Sequence, residues 1–104
     1  MKGVKIATEK IPLVHPGEVL YEDWLIPLGM SQSQLAKSMR VHPARIHEIV
    51  RGKRAITAET ALRLARAVGT SPEFWLRLQM VYDLRQAQVT HAEIISREVI
   101  PIVV

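Results

Sequence analysis

The stretch HPARIHEIVRGKRAIT, residues 42–57, places six Arg, Lys and His side chains among four branched apolar residues. Ile46, Ile49 and Val50 recur at helical spacing, so the opposite face of that helix carries Ala44, Arg45, His47, Glu48 and Arg51. These residue types suit the edges of DNA bases. An Arg guanidinium can form two parallel bonds to guanine O6 and N7, a Glu carboxylate can accept from a cytosine amino group, and Ala44 can meet a thymine methyl. His47 fits either a base or a phosphate. Arg51, and Lys53 and Arg54 just past Gly52, are placed for the phosphate backbone. Ser31, Gln32 and Ser33 open the preceding helix, where free N–H groups and the helix dipole favour an anion. His42 stands at the start of the charged helix as a cap or a phosphate contact. The competing reading of the same residues is a solvated surface. Glu48 would then pair within its helix with Arg45 or Arg51, three residues away on either side.

Other chemistries find little support. His42 and His47 are five apart, which does not align two metal ligands on one helix face, and His15 and His91 have no carboxylate motif near them. No metal site and no cofactor is expected. A nucleophile elbow and a Gly-rich phosphate loop are both missing, so no catalytic residues are assigned and an enzyme is not expected. The chain has no cysteine, which excludes disulfides and thiolate sites and fits a reducing compartment. No apolar run approaches the roughly 18 residues of a membrane helix, and the N-terminus lacks the apolar core of a signal peptide. A cytoplasmic protein without membrane contact is expected.

The chain has 104 residues, 48% of them hydrophobic, enough for one domain with a real core. Its formal charge of +4 is concentrated. Residues 31–54 carry Lys37, Arg40, Arg45, Arg51, Lys53 and Arg54 against Glu48 alone, while the segments on either side are close to neutral. Such clustering is the electrostatic footprint of a nucleic-acid binder. Glu9, Glu18, Glu22 and Asp23 read as a solvated acidic face.

Five helices must position these residues. Pro16 opens the first, with Val19, Leu20 and Trp24 inward, and Pro27 and Gly29 close it. Ser31 caps a second helix, SQSQLAKSM, with Leu35, Ala36 and Met39 inward. Arg40, Val41 and His42 connect it to a third, from Pro43 to about Arg51, which Gly52 stops. Ala36, Val41, Ile46 and Ile49 are expected to lock the pair together. Thr57 caps a fourth helix, AETALRLARAV, with an inward stripe of Ala61, Leu62, Leu64, Ala65 and Val68. Ser71, Pro72 and Glu73 start a fifth, reaching about Gln88. Residues 94–104, IISREVIPIVV, are rich in β-branched residues and contain Pro101, which predicts a short edge strand. The expectation is an all-α domain over residues 15–88, with its helix-turn-helix at about 31–51. A loose extension precedes it at 1–14, and a tail follows at 89–104.

The stretch SQSQLAKSMRVHPARIHEIVRGKRAIT resembles the helix-turn-helix of the phage-repressor-like (XRE) family. The wider frame is more specific. HPGE, GKRAIT, TALRLA and GTSPEFWLRLQ-x-x-YDL, spread over residues 15–85, are similar to the HigA-type (VapI) antitoxins. That resemblance implies a dimeric, sequence-specific repressor of its own operon. It also implies a second partner, a HigB-type RelE-like ribonuclease toxin neutralised by complex formation, which the acidic face could meet. The wider family puts polar side chains at the start of its recognition helix. Pro43 and Ala44 stand there in this chain, which shifts base readout toward Arg45, His47 and Glu48.

Operators are commonly bound by two-fold dimers. Trp75, Leu78 and Tyr82 of the fifth helix, and Ile95, Val99, Ile100 and Ile102 of the tail, are the expected dimer contacts. A solitary repressor without a toxin, and a protein-binding adaptor using its basic face, are the alternative functions.

Overall fold

The computed structural model describes residues 13–103 of the chain. The loose segment expected at 1–14 falls mostly outside the described residues. Among the described residues five helices follow one another with short links.

Helix α1 spans 16–28. His15 caps it by accepting the Gly17 N–H on Nδ1 at 2.9 Å, with Pro16 in the first position. Its middle, Leu20–Leu25, widens into a π-helical turn. Pro27 has no N–H to offer the carbonyl one turn back and its ring crowds that turn, a common cause of local widening. Gly29 then ends the helix in the left-handed conformation.

Helix α2, Gln32–Met39, begins with a reciprocal capping box. Ser31 Oγ accepts the Gln34 N–H, and Gln34 Oε1 accepts the Ser31 N–H. Helix α3, Pro43–Val50, follows after three residues and is capped by His42 Nδ1, which accepts the Ala44 N–H at 3.0 Å. At its far end Gly52 adopts φ +74°, and the N–H groups of Gly52 and Lys53 return to the carbonyls of Ile49 and Glu48. The glycine stop expected there is present. Helix α4, Ala58–Val68, is capped by Thr57 and ended by Gly69 as the sequence predicts.

Helix α5, Pro72–Glu98, differs from expectation. It runs ten residues beyond Gln88, and the expected strand over 94–104 is absent among the described residues. Extending an existing helix costs far less than starting one, and a β-branched residue opposes it by only a few tenths of a kcal/mol. The polar residues that compete with a helix are satisfied inside it: Thr90 Oγ1 donates to the Gln86 carbonyl and Ser96 Oγ to that of Glu93. The helix ends shortly before Pro101, whose ring disfavours helical backbone in the residue ahead of it.

The core is one cluster built from Leu20, Leu25, Leu35, Ala36, Met39, Ile46, Ile49, Ile56, Ala61, Leu64 and Trp75. Ala36, Ile46 and Ile49 are fully buried, and Val41 is half-buried, so the expected lock between α2 and α3 is formed. Leu62 is 61% exposed and does not belong to the inward stripe of α4. It lies a third of a turn from Ala61, outside the arc that Ala61, Leu64 and Ala65 cover. Trp75 is a second correction. Its ring is fully buried within the chain, packed on Trp24 and Phe74 at centroid distances of 5.1 and 4.9 Å, and its Nε1 donates to Thr70 Oγ1. It offers no surface to a second copy.

Two core anchors are not apparent from residue type. Gln79 is buried in α5, accepts the Ile56 N–H at 2.8 Å and donates to Asp83, which ties the α3–α4 loop to α5. Gly17 lies directly on the end of α3, where a Cβ would stand 1.7 Å from the Ile49 carbonyl oxygen. Substituting Gly17→Ala must push the two helices apart, and overpacking of this kind costs about 1–3 kcal/mol or more. The expected outcome is a clearly lower urea midpoint for Gly17→Ala. An unchanged midpoint would mean that α1 and α3 can separate freely.

Candidate nucleic-acid interface

Helix α3 has eight residues, too few to hold together alone in water. Burial of Ile46 and Ile49 fixes it on α2, which turns His47 and Glu48 outward and leaves Ala44 and Arg45 half-buried. Arg51, Lys53 and Arg54 are exposed around the turn that follows, and Lys37 and Arg40 are exposed on the α2 side. The cationic segment of the sequence is thus an exposed cationic surface.

Each candidate side chain has a definite placement. His47 Nδ1 is within hydrogen-bond distance of Gln32 Oε1, which joins the middle of α3 to the first residue of α2. With Gln32 accepting through its oxygen, both amide N–H bonds are free to donate to a phosphate. Ser31, Gln32, Ser33 and His47 line one groove of about 610 Å³, floored by Leu25 and Ile26 of α1. His42 spends Nδ1 on capping, so its neutral ring carries the proton on an exposed Nε2, a donor suited to phosphate. Glu48 pairs with Arg54 across the turn at 3.1 Å and not with Arg45 or Arg51 within the helix. The Gly52 turn swings Arg54 back toward α3, which residue spacing along the helix does not reveal.

Arg45 is the largest departure from a freely extended side chain. Its Nη1 donates to Glu59 Oε1 at 2.9 Å and approaches Thr60 Oγ1 at 3.4 Å, both on α4. The other oxygen of Glu59 accepts from Arg63 Nε at 2.7 Å, and Arg63 Nη1 donates to the Met39 carbonyl at the end of α2. The two guanidinium hydrogen bonds hold the Glu59 carboxyl below the usual carboxylate range. Sequence reasoning missed Glu59. The one available signal was its four-residue spacing from Arg63.

A short helix pair at this spacing, with a cationic turn after its second helix, defines the class: a helix-turn-helix domain, whose second helix is shaped for the DNA major groove. The helix-turn-helix family matches residues 22–75. Virulence-associated protein I of Dichelobacter nodosus is 51% identical over 86 residues, covering 83% of this chain and 80% of that protein. An addiction-module antidote protein of the HigA family from Coxiella burnetii has 44% identity and a TM-score of 0.83, over 88% of this chain and 100% of that one. The Pseudomonas aeruginosa antitoxin HigA, solved with the higBA promoter, has 35% identity and a TM-score of 0.85 over 88% and 100% of the two chains. The chain belongs to the helix-turn-helix family, in its HigA-type branch. This is a family of DNA-binding proteins and not of enzymes, and no described helix is long and apolar enough to cross a membrane.

His15 connects the rear of this surface to the body. Its ring lies edge-on to Tyr82 at 4.8 Å and within 3.8 Å of where a Cβ on Gly52 would stand. Burial pushes its pKa below the ordinary 6.5, against the opposing pull of Asp83. Between those two values the unfolded chain binds more protons than the folded one. Stability therefore falls as pH drops below 6.5 and through the lowered value, and is level above. The thermal midpoint should decrease from pH 7 to pH 5, and His15→Asn, which keeps an acceptor but does not titrate, should reduce that decrease. Equal decreases in the two proteins would remove His15 as the cause.

Proposed function

We propose that this chain is a sequence-specific DNA-binding antitoxin of a HigBA-like toxin–antitoxin module. In this reading it represses its own operon and neutralises a HigB-type, RelE-like ribonuclease by binding it. The observation that carries the reading is the exposed cationic surface formed by the turn after α3 and the adjoining side of α2, on a chain whose fold neighbours include an antitoxin solved with its promoter. Ala44, Arg45, His47 and Glu48 face base edges in the major groove. Ser31, Gln32, Ser33, His42, Arg51, Lys53 and Arg54 hold the phosphates on either side. Phosphate contacts set the register and orientation of the helix, and base contacts select the sequence. The protein acts in the cytoplasm, on the nucleoid when bound.

Repression needs two copies, with recognition helices about 34 Å apart on a palindrome. The end of α5 and the segment after it support a dimer, because their apolar side chains are left exposed among the described residues. Leu84, Ile95, Val99, Ile100 and Ile102 are all more than half exposed. Residues 15–88 act as the DNA-binding domain, and 89–104 with Leu78 and Tyr82 form the contact between copies.

In a gel shift on the chain's own upstream DNA with excess nonspecific competitor, wild type should give a specific complex. Arg45→Ala should weaken it about tenfold or more, since one good bidentate pair is worth roughly 1–3 kcal/mol. No specific complex from well-folded protein would replace the repressor reading by partner capture. In sedimentation, Ile95→Asp combined with Ile102→Asp should convert dimer to monomer with the helical content retained. A persistent dimer would move the interface elsewhere.

A further inference from the structure

We infer that Glu59, which lies outside the recognition helix, is a positioning residue that aims Arg45 and so sets how sharply one operator base pair is discriminated. The inference rests on the reading that Arg45 contacts a base.

An Arg side chain has four rotatable bonds, and a free guanidinium sweeps a wide arc. Two parallel bonds to guanine require its plane to be fixed. Glu59 fixes it from one side. The 2.9 Å bond occupies Nη1, and Nε and Nη2 remain on the guanidinium edge that can meet an acceptor pair. Glu59 is itself immobilised. Arg63 holds its second oxygen at 2.7 Å, and Arg63 is anchored on the Met39 carbonyl at 2.9 Å. A single carboxylate therefore links the end of α2, the open face of α3 and the first turn of α4. The Arg45 side chain is 25% exposed, against 58% for Glu59, so the guanidinium lies along the protein with one edge open. A restrained Arg loses less freedom when it binds, and it cannot swing to a neighbouring base or phosphate when the correct base is absent.

The test separates aim from charge. Removing Glu59 deletes one negative charge and strengthens binding to any DNA, so a single affinity is uninformative. Operator duplexes carrying every single-base-pair substitution are compared by fluorescence anisotropy at fixed salt, where that general term cancels. Wild type, Arg45→Ala, Glu59→Ala and Glu59→Gln are measured on the same panel. The expected result is that Arg45→Ala flattens the preference at one position. Glu59→Ala should reduce the preference at that same position by about fivefold or more, with other positions unchanged. Glu59→Gln, which keeps an oxygen acceptor for Arg45, should retain an intermediate preference, and it supplies the answer if Glu59→Ala does not fold. A full preference at that position in both Glu59 variants overturns the inference, whether operator binding is unchanged or tighter. If Arg45→Ala leaves every position unchanged, the base-contact reading itself fails and the inference falls with it.

Discussion

The seating of α3 on α2 is the constraint on which the rest depends. An eight-residue helix with Pro at its start and Gly two residues beyond its end has no independent stability. Ile46 and Ile49, both fully buried against a core that includes Ala36, supply it. Ala36 is small enough for the helices to approach, and the two isoleucines are stiff enough at χ1 to set rotation as well as position. Once that rotation is fixed, every polar residue of α3 has a fixed direction. The polar face is a consequence of the apolar one.

The remaining helices act as a brace. Helix α1 crosses the end of α3 at Gly17, with no room for even one methyl group. The loop after α3 is held by Gln79, a buried amide that satisfies the otherwise stranded Ile56 N–H. Trp24 joins α1 to the start of α5 through ring contacts with Phe74 and Trp75, which also pack on each other. Each brace acts on an end of the helix pair and leaves its outer face open.

Polar contacts add a finer level of order. Seven of the candidate DNA-facing side chains are already engaged in the free chain: Gln32 with His47, Glu48 with Arg54, Arg45 with Glu59, and Ser31 and His42 with their own helix starts. Exposed ion pairs contribute little to stability in water. Their effect here is to restrict rotamers on a surface whose use depends on direction. The same reasoning separates the two ends of α5. Its first turns are committed to the core through Trp75 and Gln79, and its last turns carry apolar side chains that stay exposed among the described residues.

Helix starts and stops were legible in the sequence because capping is local. Ser31, Thr57 and Ser71 each bond a backbone N–H three residues on, and Gly29, Gly52 and Gly69 each take a left-handed conformation that other residues resist. The inward positions of α2 and α3 followed from periodicity, and the clustered charge from counting. The end of α5 was misread because β-branched composition is a weak local preference, which helix propagation overrode. Trp75 could be assigned to an apolar environment, but whether its own chain or a second copy supplied that environment depended on where Trp24 and Phe74 came to lie. Tertiary structure alone decided the partners. Glu59 stands 14 residues from Arg45, and Gln79 stands 23 from Ile56. Hydrogen bonds at such separations arise only after the helices have packed, so no rule of spacing along the chain contains them.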